Sequence, residues 1–268
     1  MKNRFLAMKI MFRNITFFFL LAIALQACKK DDDNQPVEDP RAENKQPLGA
    51  SAEDILSNST YQKLTVELVY SEFYKPTQQT INHFKDFING LVNKSQGVVF
   101  VETVVEEQPN DPFTIEEIKE IEDRVRTQYT EGNNIAIYVF FSNGSSQNDT
   151  QTRVTLGTAY RNTSMVIYER TIKVVTNEDS VTLPLLETTT VEHEFGHILG
   201  LTNIQNDDIH ESHEDLENLK HCKVEGCLMY YDATNVTKSS VRNFVQGRNS
   251  VPVFDPLCLE DLDEKRGL

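Results

Sequence analysis

Basic residues are scarce in this chain. Its 268 residues include 26 Lys+Arg against 41 Asp+Glu, a formal net charge of −15. Such a body repels nucleic acid and anionic lipid surfaces, so neither is an expected partner through a basic patch. Long apolar runs are also lacking. The strongest, Ile15–Leu25, is too short to cross a bilayer comfortably. No internal repeat is present. Cysteine is sparse: Cys28, Cys222, Cys227 and Cys258 make up the whole set. If Cys28 is consumed by modification, an odd number remains, which leaves one thiol free or sends it to a metal or another chain.

What is present begins with a leader. Lys2, Arg4, Lys9 and Arg13 precede the apolar run, and Ala27-Cys28 follows it. Residues 1–27 therefore have the shape of a signal peptide. "LQAC", Leu25 to Cys28, resembles a bacterial lipobox, which makes Cys28 the expected lipid acceptor. The acidic run just after Cys28 resembles an export signal toward the cell surface. The expected location is the outer membrane, surface-exposed and held by lipid alone. Cleavage removes four basic residues and leaves 22 Lys+Arg against 41 Asp+Glu, a formal charge of −19. Residues 28–58 are polar and without apolar periodicity, and read as a disordered tether. The expected folded domain is 59–268, a monomer, with an upper part to about 201 and a lower part from about 202.

Within it, strands and helices alternate. "YQKLTVELVYSE" alternates Leu64, Val66, Leu68 and Tyr70, a strand signal. Ile81, Phe84, Ile88 and Leu91 recur at helical spacing after Pro76. "GVVFVETVV" is a second strand. "TIEEIKEIEDRVRTQY" is a second helix, with a capping box from Thr114 and Glu117. "NIAIYVFFSN" is apolar on both faces and so central in the sheet. "TRVTLGTAYRN" and "SMVIYERTI" are two further strands. A helix follows, with Pro184 in its first turn and Gly200 as its cap. The remainder is polar and loop-rich. The order predicts an α+β fold: a mixed twisted sheet, two backing helices, one site-bearing helix and an irregular C-terminal subdomain.

The site-bearing helix reads "VEHEFGHILGLTN", Val191 to Asn203. His193 and His197 are four apart, on one helix face, so both imidazoles reach one ion. Glu194 stands beside them, placed to hold a water rather than the metal. In this H-E-x-x-H arrangement zinc acidifies the water and the carboxylate relays its proton.

"HEFGHILGL" resembles the active-site helix of a metzincin metallopeptidase, whose motif ends in a third histidine three residues past the glycine. Here that position is Asn203, a poor ligand beside imidazole. "KHCKVEGCLMYY" resembles the archaemetzincin branch, in which a histidine directly precedes a cysteine in C-x-x-x-x-C-x-M. Cys222, Cys227 and Met229 fit that spacing, and His221 takes the ligand's place after an acidic insertion over 204–220. His213 competes for the role, with His210 and Asn203 behind it. The resemblance covers roughly residues 60–231, with its specific motifs in 193–200 and 221–229.

It implies a zincin-type fold with one catalytic zinc on His193, His197 and His221, and Glu194 as general base and then acid. It implies Met229 as the Met-turn base and Tyr231 as a contact to the metal or the transition state. By the same resemblance, Gly157, Thr158, Ala159 and Tyr160 form an edge strand that pairs with an extended peptide. The family's second zinc needs four cysteines with a C-x-x-C after the methionine; only Cys258 follows here, so that ion is expected to be absent. Cys222 and Cys227 are then free to form a disulfide. The function implied is peptide hydrolysis. The rival reading is an inactive zinc-containing surface module that binds peptides or proteins, and the intact Glu194 argues against it.

Overall fold

The computed structural model describes residues 39–231, 235–237 and 250–267. The chain divides into two units, Met1–Asp39 and Pro40–Leu268. The leader over 1–27, Cys28 and the first part of the expected tether lie outside the described residues. The rest of that tether is folded. Asn44 is buried, and its amide donates to Thr130 Oγ1 at 2.9 Å, Thr163 Oγ1 at 3.0 Å and Ala136 O at 3.1 Å. A single helical turn, α1 (Ala52–Leu56), buries Ile55 and Leu56. The domain therefore starts near Pro40 and not at 59. Hydrogen bonds to distant strands hold this segment, and local apolar pattern does not register them.

Five strands form the main sheet: β1 (Lys63–Tyr70), β2 (Val98–Val104), β3 (Asn134–Phe141), β5 (Gly157–Arg161) and β6 (Ser164–Ile167). Their order is β2-β1-β3-β6-β5, with the doubly apolar β3 in the middle. The pairs β1–β2, β1–β3 and β3–β6 are parallel; β5 runs antiparallel to β6 and forms one edge.

Helix α2 (Gln78–Leu91) connects β1 to β2, and α3 (Ile115–Val125) connects β2 to β3. The two crossovers run in opposite directions across the sheet. Right-handed crossovers then require opposite faces, and that is where the helices sit. Ile81, Phe84 and Ile88 of α2 share a core with Val66, Leu68, Ile137 and Val139. Ile118 and Ile121 of α3 pack with Tyr138 and Phe140 on the other side. The capping box of α3 is formed from both directions, Thr114 with Glu117.

Downstream, two expected strands are rearranged. Residues 152–162 split at Leu156: β4 (Arg153–Thr155) leaves the sheet to pair with β7 (Asn235–Thr237). The next strand stops at Ile167, and Glu169–Thr176 is helix α4. The site-bearing helix is α5 (Thr182–Ile198), on the same face as α2. Phe84 and Phe195 meet edge-on across the two helices at 5.7 Å. A C-terminal helix, α6 (Pro256–Arg266), is capped by Asp255, whose side chain accepts from the amides of Leu257 and Cys258. Among the described residues no helix is long and apolar enough to cross a membrane.

The junction of α4 and α5 buries two carboxyls. Glu187 accepts from the Thr77 amide at 3.0 Å and from the Thr77 and Thr80 hydroxyls at 2.6 Å each. Glu169 is fully buried, and neither of its oxygens has a hydrogen-bond partner. Burial first, then the charge of Glu187, pushes the Glu169 carboxyl well above the ordinary carboxylate range. A carboxyl raised on folding contributes its full stability below the unfolded value of 4.5 and loses it as pH rises toward the folded value. The slope is about 1.4 kcal/mol per pH unit over that window. Glu169→Gln should therefore gain stability over the parent as pH rises above 4.5, measured by urea denaturation at each pH. Parallel stability curves would refute the assignment.

Candidate active site

Helix α5 carries its site through the core. His193 and Glu194 are buried to 0% and 3% exposure, and His197 to 8%. The helix ends in a Schellman arrangement. Gly200 takes φ +76, its amide donates to His197 O at 3.0 Å, and the Leu201 amide donates to Gly196 O at 3.2 Å. Both orphan carbonyls are satisfied within the turn that holds His197.

The third histidine is supplied by the loop before Cys222. The ring centroids of His193, His197 and His221 stand 4.8, 5.3 and 5.2 Å apart. One nitrogen from each lies within 4.8 Å of the others. His193 Nδ1 donates to Leu228 O at 2.7 Å, which fixes Nε2 as its free lone pair. That Nε2 is buried without any partner, and His197 Nδ1 is likewise unpaired. His221 Nδ1 donates toward Leu219 O at 3.1 Å and Asn218 O at 3.2 Å, again leaving Nε2 free. Burial, with the His221 charge second, lowers His193 to about 3. Burial also lowers His197 well below the ordinary imidazole value, and lowers His221. All three rings are neutral near pH 7, the state a metal ligand requires. The donor set and its orphaned nitrogen fit a divalent ion of the zinc type.

Glu194 sits against the edge strand. Its Oε2 accepts from the Ala159 amide at 2.8 Å. Burial raises its carboxyl to about 8, against the opposing pull of that amide. Gly157 makes this approach feasible. A Cβ there would stand 2.6 Å from Glu194 Cγ and 2.9 Å from both Glu194 Oε1 and Thr190 Cγ2. A cleft of about 250 Å³ opens above, lined by Gly157, Thr158 and Ala159 on one side and by Leu219, Lys220 and His221 on the other. Tyr160, the fourth residue of the expected edge segment, packs instead with the α3-side core.

Beneath the site, fully buried Met229 lies under the helix at Gly196, where a Cβ would overlap the methionine sulfur. Gly196 was not singled out by the motif, in which it occupies an unspecified position; its signal was a glycine inside a helix. Tyr231 borders the cleft with its ring 5.1 Å from that of His221. Its hydroxyl accepts from Arg153 Nη2 at 3.0 Å.

The competing residues stand elsewhere. Asn203 donates its amide to Asp208 at 2.7 Å and takes no place among the imidazoles. His210 pairs with Glu260 at 2.7 Å. His213 is buried in a second cluster with Cys222, Asp255 and Cys258, their donor atoms within 4.8 Å of one another.

All three described cysteines are thiols, so the expected Cys222–Cys227 disulfide is not formed. The His213 Nδ1 distances are 3.4 Å to Cys222 Sγ and 3.6 Å to Cys258 Sγ, and Cys227 Sγ lies 3.7 Å from Cys258 Sγ. Tetrahedral ligands at about 2.3 Å for sulfur and about 2.0 Å for nitrogen would lie about 3.8 Å apart for S–S pairs and about 3.5 Å for S–N pairs. Asp261 accepts from His213 Nε2 at 2.9 Å and turns Nδ1 toward the thiols. The amides of Met229 and Asp255 donate to Cys227 Sγ at 3.3 and 3.4 Å. Hydrogen bonds from the Cys222 and Cys258 thiols lower the Cys227 thiol to about 4. The donor chemistry fits a second thiophilic ion, against the expectation that one is absent. The overlooked signal was Asp255-x-x-Cys258, a paired-ligand spacing with a carboxylate in first place.

The glycine argument is testable by stability. Gly157→Ala should cost about 1–3 kcal/mol in urea denaturation, since the new methyl meets Glu194 and Thr190. Gly90→Ala, in α2 with nothing within 4 Å of the new methyl, should instead gain up to about 1 kcal/mol. Equal effects at the two positions would remove the packing argument.

In comparison with known proteins, no protein-family model and no curated protein sequence matches the chain. Among solved structures, it is similar to the crystal structure of archaemetzincin from Methanopyrus kandleri, at 14% identity and a TM-score of 0.49, over 78% of this chain and 98% of that one.

Proposed function

We propose that the chain is a zinc-dependent metallopeptidase. One observation carries the reading: three neutral imidazoles converge beside a buried carboxyl that opens onto a cleft with a sheet edge in its wall. His193, His197 and His221 would hold the ion. When bound, zinc would supply Lewis acidity for a peptide carbonyl and for an attacking water.

The protein's own groups do the rest. Glu194 takes the proton of the water and returns it to the leaving amine. The Ala159 amide on Oε2 holds that carboxylate in one orientation. β5, as an edge strand of the sheet, is the element that would pair with an extended peptide. Tyr231, steadied by Arg153, stands at the cleft border where charge develops on the carbonyl oxygen. With an ion held at the imidazoles, the state of Glu194 would change. Its carboxyl, raised by burial in the metal-free protein, ionises more readily beside a cation.

A second ion, also zinc, would be held by Cys222, Cys258 and His213. Cys227 or Asp255 would complete the set, and ligand softness favours Cys227. This ion would be structural, since all its candidate donors are buried. Cys28 would carry the lipid that holds the protein at the outer surface of the cell, where it acts on peptides as a monomer.

The purified mature chain should contain two zinc ions by elemental analysis. His193→Ala and His221→Ala should each lose one, and Cys258→Ser and His213→Ala the other. Glu194→Gln should keep both while losing about 10²–10⁴-fold in peptide hydrolysis. A parent chain free of metal at neutral pH would end the peptidase reading. A chain with two ions that cleaves no peptide, with Glu194 intact, would favour the binding-module alternative. Cys28→Ser should move the protein from the membrane fraction to the soluble fraction of fractionated cells; retention in the membrane would rule out lipid anchoring.

A further inference from the structure

The cleft beside the imidazoles holds a cation that nothing in the protein uses. Lys220 directly precedes His221 and lines the cleft with Leu219. Its side chain is exposed, and no carboxylate stands within 4.0 Å of it among the described residues. That contrasts with Lys265, which is paired with Asp207 and, at 2.8 Å, with Asp208. The chain as a whole has 41 acidic residues to 26 basic, so an unpaired lysine at the mouth of a site runs against the prevailing charge.

The backbone that carries the lysine is held in place. Its backbone takes φ +68, a region that glycine or asparagine fills at lower cost. The buried Thr202 hydroxyl donates to its carbonyl. Lys220 and His197 line the same cleft. Gly157, Thr158 and Ala159 of β5, where an extended peptide would lie, also line it. The one carboxyl lining the cleft is Glu194, which is committed to the Ala159 amide. The cleft wall thus offers a positive group for a ligand carboxylate and no free negative group for a ligand amine. That disfavours recognition of a peptide's N-terminal ammonium.

We infer that Lys220 selects substrates bearing a carboxylate next to the scissile bond, from an Asp or Glu side chain or from the peptide C-terminus. Leu219, 64% exposed at the rim, and Leu48 on the cleft wall give that carboxylate an apolar neighbour. The inference rests on the peptidase reading for the word "scissile", but the recognition itself does not need turnover. A hydrogen-bonded ammonium–carboxylate pair at the mouth of a cleft is worth at most about a tenfold difference in affinity.

Two measurements separate the sources and the failures. The zinc-loaded full-length mature protein is given matched peptides that differ as Glu against Gln beside the cut, and as free acid against amide at the C-terminus. The parent should prefer one carboxylate-bearing member by up to about tenfold in KM. A Glu/Gln difference identifies a side-chain carboxylate, and an acid/amide difference identifies the terminus. In Lys220→Met the ratio should fall to about one, and in Lys220→Arg it should persist.

The same peptides, fluorescently labelled, are titrated into Glu194→Gln, with and without Lys220→Met, so binding is read where nothing is cut. Absence of cleavage with a Lys220-dependent carboxylate preference in binding would sink the peptidase reading alone. Cleavage indifferent to all carboxylates, or a preference that survives Lys220→Met, would overturn this inference and leave the peptidase reading standing.

Discussion

A helix buried along nearly its whole length must still carry polar groups, and the rest of the molecule is arranged to satisfy them. Helix α5 places Glu187, Thr188, Thr189, Thr190, Glu192, His193, Glu194 and His197 in the interior. An unpaired buried polar group costs about 1–3 kcal/mol, and a charged one more. Partners therefore arrive from every neighbouring element. Thr189 and Thr190 bond back to carbonyls one turn earlier. Thr77 and Thr80, at the start of α2, take Glu187. His83 on α2 meets Glu192 at 2.7 Å. The β5 amide of Ala159 takes Glu194, and the Leu228 carbonyl takes His193. The groups left without partners on this helix are one oxygen of Glu187 and one nitrogen on each of the two histidines. The His193 Nε2 is the informative exception, because its ring is fixed by Leu228 on the other side and stands among two further imidazoles.

This constraint explains what was legible in the sequence. His193, Glu194, His197 and the terminating Gly200 are readable because helical periodicity fixes their mutual placement within one element. The same holds for Thr114 with Glu117, and for β3, whose apolar residues on both faces announce a central strand. Legibility fails where the deciding contact is long-range. Residues 169–172, ERTI, include two β-branched side chains and read as the end of the strand SMVIYERTI. Burial of Ile172 and Thr176 beside the core makes Glu169–Thr176 helix α4. Helix α6 has no clean apolar stripe, because its buried face includes Asp261 and Lys265, paired to His213 and Asp207. The segment after Asp39 looks like linker because Asn44 is held by three distant partners rather than by apolar burial.

The choice among loop histidines is the same problem at the site. Spacing could not separate His221 from His213, because both lie in or beside one insertion. The fold separates them by placing a different donor cluster around each. His221 and Cys222 are adjacent at a bend in the chain, and their side chains enter different clusters. The Cys222 amide donates to Met229 O at 2.8 Å. His221 enters the imidazole site while its neighbour enters the thiol cluster.

That geometry also decides what the insertion over 204–220 is. A mobile lid would be tied down at its ends alone, yet this one is anchored in its middle. His213 is 1% exposed, clamped between Asp261 and the thiols. The carbonyl of Lys220 is held by Thr202, on the far side of the loop's start. Ile209, Leu216 and Leu219 are left exposed, so the loop lacks an apolar core of its own. Its order depends on the polar anchors, and the largest of them is the donor cluster at His213. A metal bound there would stiffen the wall of the cleft and hold His221 toward the other two imidazoles. Two candidate sites that share a dipeptide are mechanically linked, because displacement of Cys222 from its cluster would shift His221 beside it.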